Sequence, residues 1–210
     1  VIDVLRATTS LTALLDAGVT RVYPAETVEQ AFALHRELDE AILCGERGGV
    51  PVEGFDYGNS PVVFDRLDLS RKQAVLTTTN GTRAIEAAAN ARLLLAAAII
   101  NAGAAARAAL EASGDIVLLC SGTEGAFSLD DAYAAGMIVR SLLDPAENEE
   151  IVPDDSAWAA AQIASRPVDE VVNERTCRHV RTLAEKGFSA DVAFSFRSDT
   201  SWGVPRFHRT

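Results

Sequence analysis

Residues able to hold or move charge gather in a few short stretches of this chain, each where an apolar run gives way to a helix-forming one. "DVLRATTS" places Asp3 and Arg6 ahead of two threonines. "CGERGGVPVEGFDYGNSP" carries Glu46, Arg47, Asp56, Asn59 and Ser60. "TTTNGTR" offers Asn80, Gly81, Thr82 and Arg83; Asn101 follows another apolar run; and "CSGTEGAFSLDD" brings Glu124 and Gly125. Arginine gives planar, two-pronged recognition of phosphate and related oxyanions. Helix N-termini add free N–H groups and partial positive charge, and glycines let the backbone approach a ligand closely. The repeated theme is therefore anion binding.

Carboxylates in the same loops would repel an anion unless a cation stood between them. Magnesium resolves that conflict, because it takes oxygen ligands and bridges carboxylates to phosphate oxygens. Asp3, Glu46 and Glu124 are the expected metal ligands, with Asp3 and Glu124 also counted as catalytic. In the competing reading Asp3 pairs with Arg6, and Glu46 with Arg47; Glu124 has no arginine near it in sequence and ranks first. Asp56 is read either as a general base for water or as a buried cap. Arg6, Arg47, Asn80, Gly81, Thr82, Arg83, Asn101 and Gly125 are the expected substrate contacts.

Other phosphate chemistries fit badly. There is no GxxxxGK[ST] loop, no cysteine with an arginine six positions on, and no Asp-x-Asp after the first apolar run. Metal-assisted attack of water on a phosphomonoester is the chemistry these residues permit.

The elements that must position these loops are legible as an alternation. "VIDVL", "VTRVYPA", "AILCGE", "AVLTTT", "LLLAAAII" and "IVLLC" read as strands, most of them leading into a helical pattern. Gly18, Gly114 and Gly187 sit where C-terminal helix caps belong, and Ser128 with Asp131 reads as a capping-box start. This order predicts an α/β fold, layered α/β/α around a largely parallel or mixed sheet, with ligands beyond the strand ends. Residues 1–143 form the expected core. Residues 144–210 form an expected C-terminal segment, helical to about Lys186 and closed by a strand at "ADVAFSF", packed on the same core as one continuous domain.

Composition narrows the partners. A formal net charge of −11 with no basic cluster argues against nucleic acid and against anionic membrane surfaces. The longest apolar stretch, "ARLLLAAAII", is too short to span a bilayer. Three scattered cysteines (Cys44, Cys120 and Cys177) point to reduced thiols in a cytoplasmic protein. His35 reads as a core-edge imidazole, and no zinc motif is present. The chain opens in mid-strand without Met, so a preceding segment is expected, and an open edge near 192–196 would allow a homodimer.

Taken together, "VIDVLRATTS", "GERGG…GFDYGNSP", "VLTTTNGTRAI" and "CSGTEGAFSLDDAYAAG" closely resemble the 2-phosphosulfolactate phosphatase family, in its order and across residues 1 to about 136. The resemblance implies a magnesium-dependent hydrolase releasing phosphate from 2-phospho-3-sulfolactate and leaving 3-sulfolactate, a step of coenzyme M biosynthesis in methanogens. It also implies a fold outside the common phosphatase superfamilies. A substrate bearing phosphate, sulfonate and carboxylate would explain several anion-binding loops in one site. Two alternatives remain open: another small phosphorylated hydroxy acid, or non-catalytic binding of sulfolactate or phosphate.

Overall fold

Side chains along the strands alternate between separate cores, and this sets the layers. Within Gln73–Thr77, Ala74 and Leu76 face one buried cluster while Val75 faces another; Cys44 and Leu43 of the neighbouring strand divide the same way. Period-two alternation of apolar residues on both faces is the mark of a strand covered on each side. The computed structural model describes residues 1–78, 81–112, 114–144 and 151–207, with residues 81–83 described by backbone alone.

In chain order, α1 (Ala7–Asp16) leads to β1 (Arg21–Pro24), and α2 (Val28–Glu37) to β2 (Ala41–Arg47) with its hairpin partner β3 (Val50–Pro51). The short α3 (Pro61–Phe64) precedes β4 (Gln73–Thr77), which is followed by α4 (Gly81–Ala87) and β5 (Leu94–Leu95). Then come α5 (Ala102–Leu110), α6 (Leu129–Leu142), α7 (Asp155–Ile163), α8 (Val168–Val171), α9 (Arg178–Glu185), α10 (Ser189–Ser195) and β6 (Arg206–Phe207).

The main sheet runs β1-β4-β2-β3, with β1, β4 and β2 parallel and β3 antiparallel to β2. Helix α2 covers one face through Ala31, Phe32 and Leu34. Leu11 and Leu14 of α1, with Phe64 of α3, fill the other. Beyond them lies a second, looser parallel layer. Ile2 bridges Ala97 on one side and Cys120 on the other, and β6 pairs antiparallel with β5. Helices α5, α6 and α7 back this layer, burying Ile2, Val4, Ile99, Tyr133 and Ile138 in the largest core. The expected α/β layering is present, with the strand-forming runs divided between two parallel groups rather than held in one.

Gly18 and Gly187 have φ of 95° and 84°, the left-handed conformation that glycine adopts without strain at a helix end. Two expectations fail. Ser128 occupies the N-cap position of α6 but makes no capping hydrogen bond; its hydroxyl turns to Asp130, and Asp131 reaches away from the helix. "ADVAFSF" is not a strand but lies mostly in α10, and the closing strand is the two-residue β6 instead. The sequence alternates, but helical spacing puts Asp191, Val192, Phe194 and Ser195 inside together, where Asp191 meets Arg6. Tertiary contacts override strand propensity here. The edge on which pairing between two copies was expected does not exist.

Gly136 on α6 abuts the backbone of α7, and a Cβ at that position would run into the Ala160 carbonyl. Gly136→Ala should force the helices apart and cost about 1–3 kcal/mol of unfolding free energy. Urea denaturation checks this; an unchanged midpoint would mean that α7 is free to shift.

Candidate active site

The parallel segments finish on one side of the molecule, and their ends open a cleft of about 750 Å3. Asp3 follows the Ile2 bridge in the first segment (residues 1–5), Glu46 lies near the end of β2, Thr78 follows β4, and Thr123 follows the Cys120 bridge; all four line the cleft. This is where an open α/β sheet binds ligands, because the strand ends deliver loops and helix N-termini to one place. Helix α9 supplies the facing wall. Arg178, His179, Thr182 and Leu183, then Lys186 just past its end, recur at helical spacing and turn one stripe to the cleft. A second, much smaller cavity is lined by residues such as Leu11, Val22, Leu76, Ile85 and Phe207, none of the described lining residues being titratable.

The cleft has two poles. At one, Arg6, Lys186 and Glu46 converge on the Gly48–Gly49 turn: Lys186 Nζ donates to the Gly48 carbonyl at 2.6 Å, Arg6 Nη2 to the Gly49 carbonyl at 3.4 Å, and the Gly49 N–H to Glu46 Oε2 at 2.5 Å. Arg6 is itself buried. It pairs with Asp191 at 2.7 Å and lies over the Phe188 ring at 4.2 Å. Asn59 lies buried on the cleft wall, and among the described residues its Oδ1 has no hydrogen-bond partner. At the other pole, Arg178 donates to the Thr123 carbonyl at 2.9 Å, and His179 Nδ1 lies 3.1 Å from Thr123 Oγ1 and 3.5 Å from Asp130 Oδ2.

Asp3 lines the cleft between the poles, and behind it the carboxylates of Asp130 and Asp131 are buried close by. Asp131 accepts the Val4 and Gly122 amides, each at 2.9 Å, and so ties the first segment to the stretch that follows the Cys120 bridge. Burial, then the charges of Asp130 and Asp3, hold its carboxyl well above the usual range. Burial likewise pushes Asp3 up to about 6, opposed by the His179 ring and assisted by Asp130. For Asp130 burial acts in the same direction, but His179 and the Ser128 hydroxyl outweigh it and keep the carboxyl below the usual range. The thiols are poor nucleophiles, since burial raises Cys120 to about 12 and Cys177 to about 11.

Of the residues singled out in the sequence, Asp3, Arg6, Glu46 and Glu124 line this cleft. The neighbour pairings do not form as expected: Arg6 joins Asp191, not Asp3, and Arg47 donates to the Glu46 backbone carbonyl, the Glu26 carbonyl and Thr77 Oγ1. Arg47 thus knits strand ends and does not line the cleft. Glu124 is not without an arginine, because Arg178 lies 3.3 Å away across the fold, and its side chain is 78% exposed at the rim. Glu124 and Gly125, with φ of 53° and 76°, form the tip of a tight hairpin between Thr123 and Ala126, and Gly125 lies outside the cleft lining.

Asp56 is exposed and caps Leu43 N at 2.8 Å, away from the cleft. Asn101 is fully buried in a structural role, taking the Ala98 N–H and donating to Thr12 Oγ1 and the Gly203 carbonyl. Asn80 and the side chains of Gly81, Thr82 and Arg83 lie outside the described residues. Sequence reasoning missed Asn59 as a cleft residue, and also Asp130, Asp131, Arg178, His179 and Lys186. Arg178, Thr182 and Lys186 at i, i+4, i+8 were a readable polar stripe, whereas Asp130 and Asp131 looked like ordinary helix-start acids.

Comparison with known proteins accords with this arrangement. The sequence model of the family described as 2-phosphosulpholactate phosphatase matches residues 1–210. A Carboxydothermus hydrogenoformans protein is 40% identical over 99% of this chain and 85% of its own length. A Deinococcus radiodurans protein is 41% identical over 98% and 85%, and one from Thermotoga petrophila 36% identical over 98% and 86%. Each of the three is named a probable 2-phosphosulfolactate phosphatase.

The Asp3 carboxyl has a folded pKa near 6, above its unfolded value of about 4. It therefore costs least below about pH 4 and becomes destabilising as pH rises through 6. Asp3→Asn should raise unfolding free energy by roughly 1–3 kcal/mol at pH 7.5, with little gain near pH 4. Denaturation at the two pH values checks this; an equal change at both would contradict the burial account.

Proposed function

We propose that this chain, which belongs to the 2-phosphosulfolactate phosphatase family, hydrolyses the phosphomonoester of 2-phospho-3-sulfolactate to 3-sulfolactate and phosphate. The observation that carries the reading is the two-poled cleft, with cationic side chains at both ends and buried carboxylates between them. A substrate with phosphate, sulfonate and carboxylate on a three-carbon frame needs separated positive seats and a reactive centre between them. Arg6 and Lys186 at the Gly48–Gly49 pole would seat the sulfonate end. Arg178 would meet an anion at the other pole.

The donor set fits magnesium. This ion is commonly held by one or two carboxylates and completed by water and substrate oxygens. Asp3 and Glu46 both line the cleft, and two further buried carboxylates lie behind Asp3, a charge excess that a divalent cation would relieve. Among the described residues no three His, Cys, Asp or Glu side chains form a ready-made cage. Asp3 and Glu46 would hold it, with Glu124 at the rim. When bound, the ion would polarise the phosphoryl oxygens and offset charge as the ester bond breaks. Leu183, Leu5 and the aliphatic part of Lys186 would limit the water around the bound ester.

In an organism that makes coenzyme M, the product would feed its synthesis. Among the described residues no helix is long and apolar enough to cross a membrane. The unpaired thiols fit a cytoplasmic setting.

Phosphate release from 2-phospho-3-sulfolactate and from 2-phospholactate, with magnesium and with a chelator, tests the reading. We expect metal-dependent turnover and a lower KM for the sulfonated ester. Lys186→Met should raise that KM about tenfold or more and leave phospholactate nearly unchanged, as loss of a charged hydrogen bond requires. Binding without turnover would overturn the enzyme reading, and chelator-insensitive turnover the metal alone.

A further inference from the structure

His179 belongs to the C-terminal third of the chain, outside the motifs that carry the family resemblance, yet its ring lies in the cleft wall. One ring nitrogen is taken: Nδ1 faces Thr123 Oγ1 at 3.1 Å and Asp130 Oδ2 at 3.5 Å. Asp130 is fully buried at the start of α6, with Oδ1 accepting from Ser128 Oγ and Cys177 Sγ and, among the described residues, Oδ2 left with no hydrogen-bond partner. Among the described residues Nε2 has no such partner either, and it is the nitrogen left open to the cleft. A buried carboxylate behind an imidazole fixes the orientation of the ring, as in other Asp–His pairs.

The chemistry of the substrate shows what that proton is for. Phosphoryl transfer passes through a loose transition state, in which charge builds on the leaving oxygen while the nucleophile is little bonded. An aryl or acyl oxygen bears that charge well; the secondary alkoxide of a 2-phospho acid does not. Hydrolysis of an alkyl phosphate therefore gains most from a proton donor at the bridging oxygen.

We propose that His179 is the general acid of this site and that Asp130 is its positioning residue. The inference rests on the phosphatase reading. The bond between phosphorus and the bridging oxygen breaks with its electron pair going to that oxygen, which takes the Nε2 proton and becomes the hydroxyl of the released acid. Water forms the new bond to phosphorus, giving hydrogen phosphate. The second water proton passes to solvent, from which His179 is reprotonated.

The test compares the intact protein with His179→Gln and Asp130→Asn on two esters, an alkyl phosphate and p-nitrophenyl phosphate, whose leaving group needs no proton. His179→Gln should lower kcat on the alkyl ester by about 10²–10⁴-fold and on the aryl ester by less than about tenfold. Asp130→Asn should show the same selectivity with a smaller loss. Equal losses on both esters, or no loss on the alkyl ester, would overturn the proposal. Melting temperatures separate this from misfolding, and if one variant fails to fold the other carries the same ratio. The alkyl arm can use any alkyl phosphate that the unaltered protein hydrolyses. Failure on phosphosulfolactate alone would then count against the substrate, not against His179, whereas no turnover of any alkyl ester would remove both.

Discussion

Two strand-like segments far apart in sequence are held together at the bottom of the cleft by one carboxylate. Asp131 takes the Val4 amide and the Gly122 amide, bridging the first segment to the stretch that follows the Cys120 bridge. The ladder there is thin: Ile2 makes isolated bridges only, so side-chain acceptance of main-chain N–H groups does what a longer sheet would otherwise do. The arrangement carries an electrostatic penalty, because it brings Asp131 into a buried space with Asp3 and Asp130. Burial without full compensation disfavours ionised carboxyls.

The second tie is the Arg6–Asp191 pair. It joins the loop after the first segment to α10, with Ser60 donating to the same carboxylate from the loop before α3. Buried pairs of this kind contribute little net stability, since desolvation offsets attraction, but removing one partner leaves the other charge stranded. The pair fixes position: it brings the C-terminal third against the cleft and lets α9 present His179, Arg178 and Lys186 to the strand ends. Without that docking the strand-end loops would face solvent on one side.

The layered α/β arrangement was readable, because apolar runs alternating with helical patterns leave few other solutions, and so was the gathering of polar loops at strand ends. Asp3, Arg6, Glu46 and Glu124 were found on that basis and line the cleft. Arg47, Asp56 and Asn101 looked equivalent to them and are not. Each is a polar residue at a strand end that satisfies backbone groups, and residue type cannot distinguish a ligand contact from a structural hydrogen bond. "ADVAFSF" misled for a related reason, since its alternation matched a strand while its one buried carboxylate required a helix.

Local pattern by itself determined the element types for most of the chain, the acidic and anion-seeking character of its loops, and the class of chemistry they permit, because periodicity and residue chemistry are local properties. Which carboxylates are buried close together, that Glu124 meets Arg178, and that His179 stands before Asp130 were decided only by the tertiary structure. Those pairs lie from about fifty to more than a hundred residues apart, and their proximity follows from how the layers pack and where the buried charges find partners.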